Sequence, residues 1–290
     1  ILRKVGIREP LYCAALRSAG VELTPYLRLA SIHTLPMDVI REPIQSWYKK
    51  IQLPEPIPSG EELLTFDDMS FSYDDERIVL KNISFTIRKG EMTAIVGKNG
   101  AGKSTLCKLI CGFETPSSGS IRLRGKDLAG LSIRRRADSI GYVMQNPNQM
   151  ISKVLIREEV GLGLKLRGVA AEEIERRVDE VLKICGLYPF RNWPVSALSY
   201  GQKKRVTIAA ILILEPDLLL LDEPTAGQDF HHYTEIMEFL VSLRNRGLTI
   251  LMVTHDMHLM LEYTDRAIVI ADGALICDDL PAHVLTNPDV

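Results

Sequence analysis

The stretch that most constrains this chain runs from Gly97 to Thr105 and reads GKNGAGKST. Gly97, Gly102, Lys103 and Ser104 occupy every fixed position of the phosphate-binding loop pattern. The apolar run Thr93-Ala94-Ile95-Val96 before it suits a buried strand, and Leu106–Gly112 after it reads as a helix. Strand, loop and helix in that order is the setting such a loop needs. Glycines let backbone N–H groups turn inward onto phosphate oxygens, and the helix N-terminus adds a favourable dipole. The candidate nucleotide-binding residues are therefore Gly97, Lys98, Asn99, Gly100, Ala101, Gly102, Lys103, Ser104 and Thr105. Lys103 is placed to reach the β- and γ-phosphates and Ser104 to ligate Mg²⁺.

The 290 residues suffice for one large domain or a domain with an appendage. A hydrophobic content of 46% with 25% charged residues supports a substantial core and argues against general disorder. The net charge of −2 gives no bulk electrostatic case for nucleic acid or an anionic membrane. Five scattered cysteines do not form a disulfide framework, and Cys107 and Cys111 read as packing residues on the helix after the loop. The most apolar region, Ile208–Leu221, is interrupted by Glu215-Pro216-Asp217, too soon to span a bilayer. A cytoplasmic chain is expected, reaching a membrane only through a partner.

Residues 1–53 carry no catalytic motif. Pro10–Ser18 and Arg41–Ile51 are helix candidates, the first with Pro10 near its start and Gly20 past its end. A stiff, extended linker, Pro54–Gly60, follows, and residues 54–62 are taken as the boundary of a domain covering 63–285. Leu64–Phe66, Met69–Tyr73 and Val79–Ile87 are strand candidates, with a charged turn at Asp74–Arg77. Ser120–Leu123 and Ile140–Met144 follow as further strands. Residues 146–205 read as a helical insertion, with Ile174, Val178, Val181 and Leu182 at helical spacing and Gly186 ending that helix. Strands return at Leu218–Leu221, Ile250–Thr254 and Ala267–Ile270, with a helical stretch Tyr233–Arg246 between the first two. The alternation predicts an α/β fold with a mainly parallel sheet flanked by helices.

Leu218–Leu221 would be a buried strand with Asp222 and Glu223 at its C-terminal end, where ligands bind in such sheets. Asp222 is placed to hold Mg²⁺ and Glu223 to polarise the water that attacks a γ-phosphate. Leu198-Ser199-Tyr200-Gly201-Gln202 opens a helix over Lys203–Leu214, with Ser199 as an ordinary N-cap.

With these motifs together, residues 63–285 resemble the ATP-binding-cassette (ABC) ATPases, whose signature reads LSGGQ where this chain has LSYGQ. The resemblance implies a P-loop NTPase core of ABC type, with an antiparallel β subdomain and a helical signature subdomain. It implies ATP and Mg²⁺ as ligands and a catalytic set of Glu223, His255 and Gln145, with Ser104, Gln145 and Asp222 at the metal. His255, after Ile250–Thr254, resembles the switch histidine that contacts the γ-phosphate. Tyr73 takes the place of the aromatic that stacks on adenine. Asp229 resembles a dimer-contact loop, although Gln228 stands where leucine is common. Leu198, Ser199, Tyr200, Gly201 and Gln202 would act in trans on a second ABC ATPase domain. ATP would then close the dimer and hydrolysis reopen it.

Gln145-Asn146-Pro147-Asn148-Gln149 and Thr225-Ala226-Gly227 look most like energy-coupling-factor and cobalt-type importer ATPases. That branch implies a motor on the cytoplasmic face of the membrane, held peripherally by a membrane coupling subunit and a substrate-binding membrane protein. Its cargo would be a vitamin, a vitamin precursor or a metal ion. Residues 1–53 are expected to be the tail of a preceding cassette in a tandem protein; an ordinary N-terminal extension is the alternative.

The rival function is a soluble ABC ATPase acting on nucleic acid or ribosomes. Gln145 and Ser199 enclose no sustained heptads, and the Pro54–Gly60 linker is not basic. Arg134-Arg135-Arg136 and Lys203-Lys204-Arg205 read as solvated surfaces, so no nucleic acid is expected. LSYGQ and His255 disfavour a small-molecule P-loop kinase.

Overall fold

The computed structural model describes residues 9–51, 60–74 and 77–287. Two compact units divide the chain, one of Ile1–Pro56 with Asp229–His232, the other of Ile57–Gln228 with Tyr233–Val290. The linker expected at Pro54–Gly60 lies almost wholly outside the described residues, as does part of the expected Asp74–Arg77 turn.

The first unit holds helix α1 (Leu11–Ser18) and helix α2 (Met37–Tyr48). Pro10 precedes α1, and the chain reverses beyond it at Gly20, φ 79°. Leu16, Leu27, Leu35 and Ile40 form its apolar cluster, and the Tyr12 hydroxyl donates to the Leu29 carbonyl at 2.8 Å. The expected Arg41–Ile51 helix begins earlier, at Met37, and contains Pro43 in its interior. Burial of Ile40 in the cluster draws the preceding turn into the helix despite the amide that Pro43 lacks.

The second unit runs β1 (Glu62–Ser72), β2 (Ile78–Arg88), β3 (Met92–Val96), α3 (Lys103–Cys111), β4 (Ser118–Leu123), β5 (Lys126–Asp127), α4 (Ile133–Arg136) and β6 (Ile140–Val143). Then come α5 (Ile156–Leu166), α6 (Ala171–Ile184), α7 (Tyr200–Leu212), β7 (Leu218–Asp222) and α8 (Phe230–Arg244). The chain finishes with β8 (Thr249–Thr254), α9 (Met257–Tyr263), β9 (Arg266–Ala271), β10 (Ala274–Asp279) and α10 (Pro281–Thr286). No helix among the described residues is long and apolar enough to cross a membrane.

A four-stranded antiparallel sheet has the order β2-β1-β4-β5, and a six-stranded sheet the order β10-β9-β3-β8-β7-β6. In the larger sheet only β10 is antiparallel, pairing with β9. One apolar core joins the two sheets through α3: Phe66 and Ile83 lie on one side, Leu106, Leu109 and Ile110 on the helix, Leu220, Leu251 and Ile268 on the other. This is the α/β architecture with an antiparallel subdomain that the motifs implied, and α5–α7 form its helical insertion. The position of α3 also explains Cys107 and Cys111. Both are buried in this core, and burial pushes the Cys111 thiol up to about 12.

Several local expectations need correction. Leu64–Phe66 and Met69–Tyr73 are parts of one strand, β1, bent by a bulge where Asp68 adopts φ 47° and its N–H donates to Ser84 Oγ. The helix after the phosphate loop starts at Lys103 rather than Leu106, since the loop itself supplies its first turn.

Neither basic run is simply solvated. Arg136 is 5% exposed, and its guanidinium donates to the carbonyls of Leu109 (2.6 Å), Ile110 (3.2 Å), Leu128 (2.8 Å) and Leu131 (3.2 Å). It thereby satisfies carbonyl oxygens at the C-terminus of α3, where a cation also meets the negative end of the helix dipole. Lys204 is 1% exposed, and its ammonium donates to the carbonyls of Met144 and Gln145. A run of cations read along the sequence conceals that one member faces inward on its helix.

Candidate functional site

Sheet register builds the site. Val96 of β3 pairs with Thr254 of β8, and Asp222 of β7 pairs with Val253 of β8. β6 lies beside β7, with Val143 opposite Leu221. Parallel strands that end level release their next residues at one edge, so Gly97, Glu223, His255 and Gln145 emerge together. Val79, Asn99, Gly100, Gly102, Lys103, Ser104, Thr105, Gln145, Asp222, Glu223, Val253 and His255 line one cavity of about 390 Å³. Residues far apart in sequence, and drawn from four motifs, thus share one space.

The loop from Gly97 to Gly102 passes tightly under the sheet edge. A Cβ built on Gly97 would lie 2.1 Å from the Ile270 carbonyl oxygen, so no other residue fits without moving backbone. Gly102, at φ 102°, makes the turn into α3, where left-handed geometry favours glycine. Lys103 folds back over the loop and donates to the carbonyls of Gly97 (2.7 Å) and Lys98 (3.0 Å). Burial pulls its ammonium pKa down, while Glu223 and Asp222 hold it up. Phosphate oxygens would give this buried cation a direct anionic partner in place of the loop carbonyls.

At the end of β7 the two carboxylates have different environments. Asp222 accepts a hydrogen bond from the Tyr142 hydroxyl at 3.2 Å, and its pKa is raised, chiefly by burial. Burial likewise pushes the Tyr142 phenol upward. Glu223 sits at φ 45°, a strained conformation for a residue with a side chain, and its N–H donates to the Val253 carbonyl at 2.9 Å. Its Oε1 lies 2.7 Å from His255 Nδ1, and its Oε2 accepts from the Thr254 hydroxyl at 3.2 Å. The carboxylate is thus oriented from two directions.

The donor set suits a hard cation bound with phosphate. Ser104, Asp222 and Gln145, which carry a hydroxyl, a carboxylate and an amide oxygen, line the same cavity. Among the described residues no cluster of three or more His, Cys, Asp or Glu side chains could hold a metal alone. Mg²⁺ is characteristically held by one or two carboxylates together with substrate phosphates, and these residues fit that arrangement.

Other candidates are not among the residues that line the cavity. Tyr73 is 52% exposed at the end of β1, its hydroxyl 3.4 Å from Thr105 Oγ1 and accepting from the Lys108 ammonium at 3.2 Å. Leu198–Gln202 do not line the cavity either. Ser199 caps α7: its Oγ accepts from the Gln202 N–H at 3.2 Å, and the Gln202 side chain accepts from the Ser199 N–H at 2.9 Å. That reciprocal capping box stiffens the first turn. Asp229 lies in the other compact unit, where it accepts from the His232 N–H at 2.9 Å.

Sequence reasoning missed Tyr142 and Lys204. Tyr142 read only as part of a strand. For Lys204 a signal existed: it falls three residues after Gly201 and four before Ile208, on the face that α7 buries.

The comparisons with known proteins agree with this geometry. The family described as ABC transporter matches residues 80–226, and one described as ATP-binding cassette cobalt transporter matches residues 1–71. A protein of Clostridium perfringens, provisionally named an ABC transporter ATP-binding protein, is 53% identical over 100% of this chain and 51% of its own length. A similarly named protein of Enterococcus faecalis is 58% identical over 99% of this chain and 50% of its own length. This chain therefore spans about half the length of the curated relatives it matches. Among solved structures, CbiO1 from Clostridium perfringens, part of the ABC transporter complex CbiONQ, is 37% identical with a TM-score of 0.75. That likeness covers 79% of this chain and 92% of CbiO1.

Proposed function

This chain belongs to the ABC transporter family of ATP-binding proteins, and from that premise we propose that it hydrolyses ATP to drive a membrane importer. The observation that carries the reading is the Glu223–His255 contact of 2.7 Å at the cavity that Lys103, Ser104, Asp222 and Gln145 also line. The Gly97–Thr105 loop binds the phosphates through backbone N–H groups, and Lys103 exchanges loop carbonyls for phosphate oxygens. Glu223 accepts a proton from the attacking water, held in orientation by Thr254 and His255. Ser104, Asp222 and Gln145 would hold Mg²⁺, which supplies charge neutralisation on the phosphates. Tyr142 keeps the Asp222 carboxylate directed by its hydrogen bond. Tyr73, with Lys108 beside its ring, offers a face on which adenine stacks.

In this reading the capped turn at Ser199, with Leu198, Tyr200, Gly201 and Gln202, completes the site of a second ABC ATPase domain, and Asp229 contributes to that contact. The support is that these residues do not line this chain's own cavity, together with an exposed position for Ser199 and Gly201's place in the first turn of α7. The likeness to CbiO1 and the cobalt-transporter match over residues 1–71 support a membrane coupling subunit as partner and peripheral placement at the cytoplasmic face. The doubled length of the relatives supports residues 63–285 being one cassette of a two-cassette protein, with residues 1–53 and the 54–62 linker preceding it. Phosphate release by the full-length protein with its membrane partners, with and without Mg²⁺, tests the reading. ATP binding without Mg²⁺-dependent hydrolysis would exclude it.

A further inference from the structure

α7 buries a cation that the ATPase reading leaves without a role, although Asp222 and Glu223 lie close enough to favour its charge. Lys204 is 1% exposed, and among the described residues its ammonium is held by carbonyl oxygens rather than a carboxylate: Met144 at 2.8 Å and Gln145 at 2.9 Å. One turn earlier, on the same face, the Tyr200 hydroxyl donates to the same Gln145 carbonyl at 3.2 Å. Both grips fall just past the end of β6, whose pairing with β7 stops at Val143. Beyond that point the sheet no longer fixes the backbone, yet Gln145 lines the cavity there.

Packing alone does not explain the lysine. A buried ammonium carries a desolvation cost that an apolar side chain of similar length would avoid. What the cation adds is a directional hold on two successive carbonyls, and so on the peptide planes either side of Gln145. The hold is anchored in the first turns of α7, whose start the Ser199–Gln202 capping box fixes.

We propose that Tyr200 and Lys204 are positioning residues that clamp the Gln145 backbone to the first turns of α7, and thereby aim the Gln145 amide into the phosphate cavity. The role given to Gln145 rests on the ATPase reading above; the clamp itself rests on the contacts. Removing a clamp residue leaves the phosphate loop intact and lets Gln145 turn away. The defect should therefore resemble that of Gln145→Ala and disappear into it when the two are combined.

The test measures turnover, and ATP affinity with and without Mg²⁺, in the full-length protein. Tyr200→Phe removes one hydroxyl at a partly exposed position, so folding is preserved; Lys204→Met removes the charge and keeps the length. Turnover is expected to fall roughly threefold and roughly tenfold, the order expected for losing a neutral and a charge-assisted hydrogen bond. ATP affinity without Mg²⁺ stays unchanged in Lys204→Met, and the gain in affinity on adding Mg²⁺ shrinks in both variants, as in Gln145→Ala. In a Gln145→Ala background either substitution should add less than about twofold, since residues acting through one group are non-additive. Losses that multiply with Gln145→Ala, an unchanged Mg²⁺ gain, or weakened binding of Lys204→Met without Mg²⁺ would overturn the clamp. A wild-type protein that releases no phosphate would defeat the hydrolysis reading instead, and the Mg²⁺ gain would still decide the clamp.

Discussion

His255 Nδ1 and Glu223 Oε1 are 2.7 Å apart, although 32 residues separate them in the chain. The contact forms because β7 and β8 are parallel neighbours whose ends lie level, with Asp222 beside Val253. Glu223 is thereby held at the cavity in a strained backbone conformation, φ 45°, that the fold maintains and local propensity would not.

Glu223→Gln keeps the shape of the side chain and removes its basicity. ATP binding should be retained while turnover falls by roughly 10²- to 10⁴-fold, the usual contribution of a general base, with an ATP-bound closed dimer accumulating. Phosphate-release kinetics beside equilibrium nucleotide binding measure the separation. Undiminished turnover would remove Glu223 from the catalytic role.

Lys103→Ala acts on binding itself. The ammonium that now rests on the Gly97 and Lys98 carbonyls would be absent when phosphate arrives. ATP affinity should weaken roughly 10- to 100-fold, as expected for one hydrogen bond to a charged group. Titration with a fluorescent ATP analogue reads this directly, and an unchanged affinity would contradict the phosphate-loop assignment.

Gly97→Ala tests the close approach to β9. The new methyl would lie 2.1 Å from the Ile270 carbonyl oxygen, so backbone must move. Overpacking of this kind costs about 1–3 kcal/mol, and the loop should lose its grip on nucleotide. Denaturant unfolding and ATP titration would both respond; native stability would show that the loop has slack.

Arg136→Leu separates the buried arginine from its exposed neighbours. It orphans carbonyls at the end of α3 and should cost about 3 kcal/mol, whereas Arg134→Leu and Arg135→Leu stay within about 0.5 kcal/mol. Three equal effects in chemical denaturation would return the run to the solvated surface it resembles in sequence.

The phosphate loop was legible because its requirements are local. A tight turn needs glycine at fixed spacing, and the strand before it and helix after it carry their own apolar patterns. Leu218–Leu221 followed by Asp222 and Glu223 was legible for the same reason. The bulge in β1 was not, because the pairing that tolerates Asp68 at φ 47° involves β2 and β4, brought alongside from elsewhere in the chain. The Met37 start of α2 was hidden likewise, set by where Ile40 is buried rather than by Pro43.

The sequence by itself pointed to the family, the loop chemistry, the α/β class and the candidate base and metal-holding residues. Each of these is written in residue type and short-range order. Only the tertiary structure decided which of those residues meet, and what Arg136, Tyr142 and Lys204 do. Burial and hydrogen-bond partners are sums over neighbours from other segments, so a cation's surroundings cannot be read from the residues on either side of it. The Lys204 ammonium, pulled down to about 8 chiefly by burial, lies in a run that looks solvated in sequence and is placed by the fold on the backbone of Gln145.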